Sequence, residues 1–169
     1  QYAYESDQIE VLEEIGITLQ NLGEQQNHPI LLGVAQITLA EACFLRFQFG
    51  IALDLVERAI ENLNLTDHRT ALANAYMRKS VLCWWKLQYE DAVKAAQQVL
   101  LISQSVEEDT PKLLSIVFHA KHVLCVVYYA QGEADKCLDL AEKIHREYMH
   151  RLDPYDRIRT LYMLGYAHL

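Results

Sequence analysis

Two histidines and a cysteine at helical spacing are the residues of this chain with the clearest capacity for chemistry. His119, His122 and Cys125 follow one another at intervals of three residues. Imidazole nitrogens and thiolates are ligands that zinc prefers. On a helix, however, the third residue of such a series is rotated away from the first, and no partner ligand can be identified on a neighbouring helix. The sequence therefore predicts no metal site and predicts polar groove or inter-helix roles for the two histidines.

No catalytic motif accompanies these residues. The chain contains no glycine-rich phosphate loop, no nucleophile elbow and no HExxH sequence. Two pairs of adjacent acids, Glu13-Glu14 and Glu107-Glu108, lack an identifiable partner base. We therefore expect a protein that is not an enzyme and needs no cofactor.

Cations gather in one part of an otherwise acidic chain. The formal net charge is −8, which argues against a nucleic acid or an anionic membrane as the partner. The cations that cluster around the end of one expected helix and the start of the next include Arg146, Arg151, Arg157 and Arg159. Cations near a helix C-terminus suit the helix dipole, which is one explanation. The alternative is a dock for an acidic segment, such as the acidic first third of a neighbouring copy.

The elements that carry these residues are expected to be helices. The chain is 51% hydrophobic but contains only 6 Gly and 3 Pro, too few for an all-β protein. Apolar periodicity predicts about eight helices. The predicted helix starts are a capping box at Asp7 and Glu10, Pro29 as a first helical residue, a cap at Thr66 or Asp67, and the pairs Thr110-Pro111 and Asp153-Pro154.

Cellular location is inferred from the cysteines and from the apolar runs. The four cysteines are far apart and form no CxxC pair, as in small apolar core residues of a reduced, cytoplasmic protein. The longest apolar run, Val123–Ala130, is too short to cross a bilayer, so we expect no membrane insertion.

A repeat emerges when the short turns between helices are aligned. The clearest hairpin lies within Ala75–Leu100. At the same place after each turn comes a small residue, namely Ala52, Ala92 and Cys137, at intervals of 40 and 45 residues. Small side chains allow two helices to approach closely, and stacked hairpins bury the apolar stripes that a single hairpin cannot cover.

These hairpins resemble the tetratricopeptide repeat (TPR) family, although the units exceed the usual length of about 34 residues. The resemblance implies an all-α fold, a right-handed α-α superhelix (solenoid) of about four TPR-like hairpins that is truncated at both ends. We expect residues 1–169 to form a single domain and to be a fragment of a longer protein. The expected units are 7–22 (partial), 29–64, 67–104, 110–151 and 154–169 (partial).

The resemblance also implies a binding surface, since the leading helix of each TPR hairpin usually lines a concave face. By position, the expected groove residues are Phe44, Asn74, Met77, Trp84, His119, His122, Tyr129, Arg159 and Tyr162. The alternative is that the longer helices close the groove and bury these residues between repeats. Trp84 and Trp85 point about 100° apart, and the sequence does not say which of them faces the groove.

The function expected from the resemblance is a non-catalytic scaffold that binds a peptide or a partner helix in the concave groove. One TPR subtype binds a terminal carboxylate through Lys and Asn at fixed positions of its leading helices. Val81 and Val126 occupy those positions here, so we do not expect this chain to bind a carboxylate in that way. The alternative function is a ligand- or peptide-sensing domain of a larger signalling or transcription regulator. The expected partners are a protein or a peptide, with self-association as a further option.

Overall fold

The computed structural model describes residues 2–106, 110–152 and 154–167, and these residues form eight helices and no strand. The all-α class expected from the sequence is confirmed. The helices are α1 (Tyr2–Gln26), α2 (Pro29–Leu45), α3 (Phe49–Asn64), α4 (Arg69–Trp85), α5 (Tyr89–Gln104), α6 (Pro111–Ala130), α7 (Ala134–Tyr148) and α8 (Pro154–Ala167).

Two proline start signals act as local chemistry requires. Pro29 is the first residue of α2, where the missing N–H costs nothing. At the start of α6, the Thr110 hydroxyl accepts a hydrogen bond from the Leu113 N–H at 3.2 Å, and Pro111 follows as the first helical residue. The pair Asp153-Pro154 is tested only in part, because α8 begins at Pro154 but Asp153 lies outside the described residues.

Two predicted helix starts are wrong. Asp7 lies inside α1, which begins several residues earlier, so Asp7 and Glu10 form no capping box. Helix α4 is capped by His68 rather than by Thr66 or Asp67, because the His68 Nδ1 atom accepts a hydrogen bond from the Ala71 N–H at 3.3 Å.

The turns that follow α2, α4 and α6 share one backbone geometry. After α4, the Gln88 N–H donates to the Cys83 carbonyl at 2.8 Å and the Leu87 N–H donates to the Trp84 carbonyl at 2.9 Å. This pair of bonds is the Schellman motif, and it places Leu87 in the left-handed region with φ of 60°. Phe47 and Gly132 occupy the same position after α2 and α6, with φ of 59° and 76°.

The helices pack as two layers of a solenoid. The leading helices α2, α4, α6 and α8 contact one another in series, and the trailing helices α3, α5 and α7 each pack between two successive leading helices. Ala52 and Ala92, aligned from the sequence, are fully buried, and Cys137 is nearly so. At Gly33 the helices approach so closely that an added Cβ would lie 2.5 Å from the Leu63 Cγ atom.

Helix α6 is long and apolar, and it packs against four neighbouring helices. By length and composition alone, Pro111–Ala130 is apolar enough to cross a membrane. Within the solenoid this helix packs against α4, α5, α7 and α8. Half of its most apolar stretch is buried by these helices, as is common for a core helix.

Candidate binding groove

A groove with a volume of about 770 Å³ runs across the leading helices. Helices α4 and α6 supply six lining residues each, α2 supplies two and α8 supplies one. The lining residues are Glu41 and Phe44 from α2, Asn74, Met77, Arg78, Val81, Trp84 and Trp85 from α4, Lys112, Ser115, Ile116, His119, His122 and Val123 from α6, and Arg159 from α8.

The lining residues of α4 and α6 follow the same helical pattern. Residues 74, 77, 78, 81, 84 and 85 form a stripe along one side of α4, since residues three and four apart share a helix face. Each has a counterpart 38 residues later on α6, from residue 112 to residue 123. The groove is therefore walled by the same face of two successive leading helices.

The structure brings seven of the nine predicted groove residues together and leaves two outside. The seven that line the groove are Phe44, Asn74, Met77, Trp84, His119, His122 and Arg159. Tyr129 is not among the lining residues. The repeats were aligned by their turns, and this alignment selects a position on α6 that lies two helical turns beyond the residues that face the groove. Tyr162, one turn beyond Arg159 on α8, also lies outside the lining and is 64% exposed.

Both tryptophans line the groove, but they differ in exposure. Trp85 is 47% exposed and stacks on the Phe49 ring, with centroids 5.7 Å apart and an angle of 19° between the planes. Trp84 is half-buried and packs towards the next hairpin, against the buried cluster that contains Val123 and Val127. Phe44 meets the edge of Trp85 at 6.2 Å, so this wall of the groove is aromatic.

The opposite wall, on α6, is polar. The His119 Nδ1–H donates to the Ser115 carbonyl at 2.7 Å, which leaves Nε2 facing the Asp156 carboxylate of α8 at 3.7 Å. Asp156 is buried and also lies 3.8 Å from the Arg159 guanidinium. These contacts connect α6 to α8 at one end of the groove.

His122 lies in this wall with a lowered pKa. The pKa of His122 is lowered to about 4, chiefly by burial and in smaller part by electrostatic repulsion from Arg159 and His119. At neutral pH the imidazole is therefore uncharged.

The groove is cationic although the chain as a whole is acidic. Arg78 pairs with Glu41 across α4 and α2, and Glu41 is the one acid among the described lining residues. Lys112 adds a further positive charge, and Arg159 adds another that faces the buried Asp156 carboxylate at 3.8 Å. Complementary charge favours an acidic partner over a basic one at such a surface.

The basic cluster predicted from the sequence is divided between different surroundings. Arg159 lines the groove, whereas the Arg157 Nε–H donates to the Leu152 carbonyl at 2.9 Å outside it. Arg146 is exposed in the last turn of α7, and Arg151 is exposed in the α7–α8 connection.

The metal-binding donors of the described residues are dispersed. Within residues 2–106, 110–152 and 154–167, no group of three or more His, Cys, Asp or Glu side chains converges to hold a metal ion. Burial raises the pKa of Cys83, Cys125 and Cys137, so these thiols are poor nucleophiles at neutral pH. A second cavity, of about 20 Å³ beside Arg78, holds at most a water molecule.

Several lining residues were not identified from the sequence. Arg78, Lys112 and Ser115 were absent from the predicted groove, and Trp85 was left open as an alternative to Trp84, although all four lie on the two helix faces described above. These residues were missed because the stripe that faces the groove is wider than one column of side chains on each helix. A groove that lies between two helices is lined by two neighbouring columns of each helix, at i, i+3 and i+4, rather than by one.

Comparison with solved structures places this architecture among known folds. A protein described as a kinesin light chain with nearly identical TPR-like repeats, from Podosopora anserina, shares 18% identity at a TM-score of 0.62, over 95% of this chain and 85% of that one. A point variant of that protein shares 19% identity at a TM-score of 0.64, over 95% of this chain and 84% of that one. BtubC (BKLC) from P. vanneervenii shares 17% identity at a TM-score of 0.54, over 97% of this chain and 83% of that one.

This chain has a TPR-like repeat fold. No protein-family model and no curated protein sequence matches it. At identities below 20% the structural likeness establishes the fold alone. A TPR-like solenoid is a general scaffold for protein–protein interactions.

Proposed function

We propose that this TPR-like chain is a non-catalytic scaffold that binds a peptide or a partner helix in the groove between α4 and α6. The observation that carries the proposal is the continuous lining by one face of successive leading helices, with an aromatic wall opposite a polar one. A rigid array of helices holds such a groove open, so binding orders few protein side chains. The free thiols at Cys43, Cys83, Cys125 and Cys137 suit a protein of the cytoplasm.

The two walls define the chemistry of the ligand. Trp84, Trp85 and Met77 offer apolar and aromatic surface to side chains of the peptide. Lys112 and Arg159 offer cations, and the neutral imidazole of His122 offers one donor and one acceptor. The ligand that fits is an amphipathic peptide with apolar residues on one side and carboxylates on the other.

The test is selection of binders from a random peptide library, followed by binding measurements with groove variants. Trp85→Ala and Lys112→Glu are expected to weaken the selected peptides by tenfold or more, which corresponds to about 1.4 kcal/mol. Matched controls on the outer surface of α5 are Leu101→Ala and Lys94→Glu, both at exposed positions. Equal loss with the controls, or unchanged binding with the groove variants, would exclude the groove as the binding surface.

A second candidate function is a sensor domain for a small ligand. The observation that favours it is the groove volume, which falls within the range of about 300–1,000 Å³ typical of small-molecule sites. A thermal-shift screen of metabolites separates the two candidates. A small molecule that raises the melting temperature of the wild-type chain, but not that of Trp85→Ala, favours the sensor.

A further inference from the structure

Two successive turns of the solenoid carry a large apolar side chain at their tips. In the α2–α3 turn this residue is Phe47, which is 77% exposed, and in the α4–α5 turn it is Leu87, which is 71% exposed. Each is the first residue beyond its helix cap and adopts the left-handed backbone conformation. Both hairpins pack against a neighbour on each side, so this exposure is not that of a terminal helix.

The backbone of these turns does not explain the two side chains. Glycine or asparagine usually occupies the left-handed position after a helix, because the Cβ of a larger residue crowds the following carbonyl. The chain follows this rule at Asn27 after α1 and at Gly132 after α6, but not at Phe47 and Leu87. Side chains this exposed gain little from burial in return. A disfavoured conformation that holds an exposed apolar side chain points to binding rather than to folding.

The turn tips are continuous with the aromatic wall of the groove. The centre of the Phe47 ring lies 6.0 Å from that of Phe49, edge to face, and Phe49 stacks on Trp85. Trp85 and Phe44 both line the groove, and the Phe44 and Phe49 rings are 5.6 Å apart. Leu87 follows Trp85 by two residues. Apolar surface therefore extends from the groove, past the C-terminal ends of α2 and α4, to the tips of both turns.

The exposed area limits what this surface can hold by itself. Phe47, Trp85 and Leu87 together expose an area on the order of 400 Å². Apolar patches of this size on a monomer are often functional, but a stable interface takes about 800 Å² from each partner. A second copy that met this patch alone would be held weakly. A segment that already occupies the groove gains this area in addition to the groove lining.

The charges beside the turn tips are balanced. Arg46 pairs with Glu13 of α1, and Lys86 is followed by Glu90 and Asp91 in the first turn of α5. Surfaces of anionic lipids attract segments with an excess of Lys and Arg. The described residues beside the two tips show no such excess, so the surroundings favour an apolar protein segment over an anionic membrane.

We propose that the peptide in the groove continues past the C-terminal ends of α2 and α4 and packs an apolar segment across Phe47 and Leu87. The inference rests on the function proposed for the groove and specifies its ligand further. Lys112 lies in the first turn of α6, whereas Trp85 is the last residue of α4. The cation and the aromatic side chain therefore mark opposite ends of the groove. The ligand places carboxylates near Lys112 and a separate apolar segment at the other end.

The test uses glycine variants that remove the apolar side chains without straining the turns. Peptides of about 20 residues, long enough when extended to cross the groove and a turn, are selected from a random library on the wild-type chain. Phe47→Gly with Leu87→Gly is expected to fold at least as stably as the wild-type chain, because glycine adopts the left-handed conformation readily, and thermal unfolding checks this. The most enriched peptide is expected to bind this variant about tenfold more weakly.

The matched control is Leu65→Gly, which removes another exposed apolar side chain. Leu65 is 78% exposed at the end of α3, in the connection to α4. Antiparallel packing places this connection at the opposite ends of the helices from the two turn tips. The most enriched peptide is expected to bind Leu65→Gly as tightly as the wild-type chain.

A double-mutant cycle tests direct contact. Each apolar residue of the most enriched peptide is replaced by Ala. At least one replacement is expected to weaken binding to the wild-type chain about tenfold, but binding to the glycine variant by less than about twofold. Unchanged binding by the glycine variant, together with a loss in Trp85→Ala, would refute this inference and leave the function of the groove intact. A selection that yields no peptide sensitive to Trp85→Ala would overturn both.

Two further measurements would reveal a different occupant of the turn tips. In the first, vesicles of phosphatidylcholine are mixed with the wild-type chain and with the glycine variant. In the second, sedimentation velocity compares the self-association of the two chains. Vesicle binding or self-association that the glycine variant loses, with an unchanged peptide affinity, would assign the tips to a membrane or to a second copy and overturn the proposal.

Discussion

The α4–α5 and α6–α7 hairpins have the same backbone plan but carry different side chains. Both turn through a Schellman motif, with Leu87 in one and Gly132 in the other. Both present the same face to the groove, aromatic on α4 and polar on α6. At equivalent buried positions 45 residues apart lie Ala73 and Phe118.

This comparison separates what the repeat needs from what it tolerates. The turn and the close crossing of two helices recur because they set the angle at which each hairpin meets the next. The size and polarity of the other side chains vary because neighbouring residues can compensate in volume and charge. Four predictions, from the largest expected effect to the smallest, probe this difference.

The largest effect is expected in the core of the α6–α7 hairpin. Phe118 is fully buried, so Phe118→Ala removes a ring and leaves a cavity. We expect the free energy of unfolding to fall by about 3–5 kcal/mol, measured by urea denaturation. Ala73→Gly at the equivalent position of α4 is expected to cost only about 1 kcal/mol. Equal losses of unfolding free energy would show that the cores of the two hairpins are packed in the same way.

The second prediction concerns pH and His122. Because its folded pKa is about 4, below the ordinary value near 6.5, the unfolded chain binds a proton between these values that the folded chain does not. The free energy of unfolding therefore falls as the pH drops from about 6.5 to 4, by up to about 3 kcal/mol from this residue.

Urea denaturation across this pH range tests the assignment. His122→Met introduces the residue that α4 has 45 residues earlier, where the two helices are aligned by their turns, namely Met77, and is expected to flatten the pH dependence. His150→Asn, at an exposed site, is the control and should keep the wild-type slope. A slope that survives His122→Met would assign the pH dependence to other groups.

The third prediction concerns the turns. A leucine in the left-handed region is strained by about 1–2 kcal/mol, part of which glycine recovers despite its larger loss of backbone entropy. Leu87→Gly is therefore expected to stabilise the chain by about 0.5–1 kcal/mol. Gly132→Leu is expected to destabilise it by a similar amount through the backbone alone, since no atom lies within 4 Å of an added Cβ. Thermal unfolding of both variants measures the two changes in stability. Changes of the same sign would contradict the prediction.

The fourth prediction, with an effect no larger than the third, concerns Tyr76 and Lys121, where the two hairpins differ. The Lys121 ammonium lies 4.3 Å from the centre of the Tyr148 ring and 3.0 Å from its hydroxyl oxygen. A double-mutant cycle with Lys121→Met and Tyr148→Leu is expected to give a coupling energy of about 0.5–1 kcal/mol. A coupling of zero would mean that the ammonium gains nothing from Tyr148 and leaves Glu147, at 3.4 Å, as its stabilising partner.

The sequence predicted helix class and repeat more completely than it predicted the site. Pro29 and Thr110 mark helix starts through their own backbone chemistry, and Ala52 and Ala92 mark close helix crossings through their small volume. The cap at His68 was missed because histidine is not among the usual capping residues.

What the sequence by itself determined is which residues share a helix face, because that depends only on the period of 3.6 residues. Only the tertiary structure decided where along each axis the faces meet. Tyr129 shares a face with His119 and His122 but lies beyond the groove. The tertiary structure also decided the pKa of His122 and the unequal exposure of Trp84 and Trp85. The reason is that burial and electrostatic potential arise from residues distant in sequence, which no local spacing encodes.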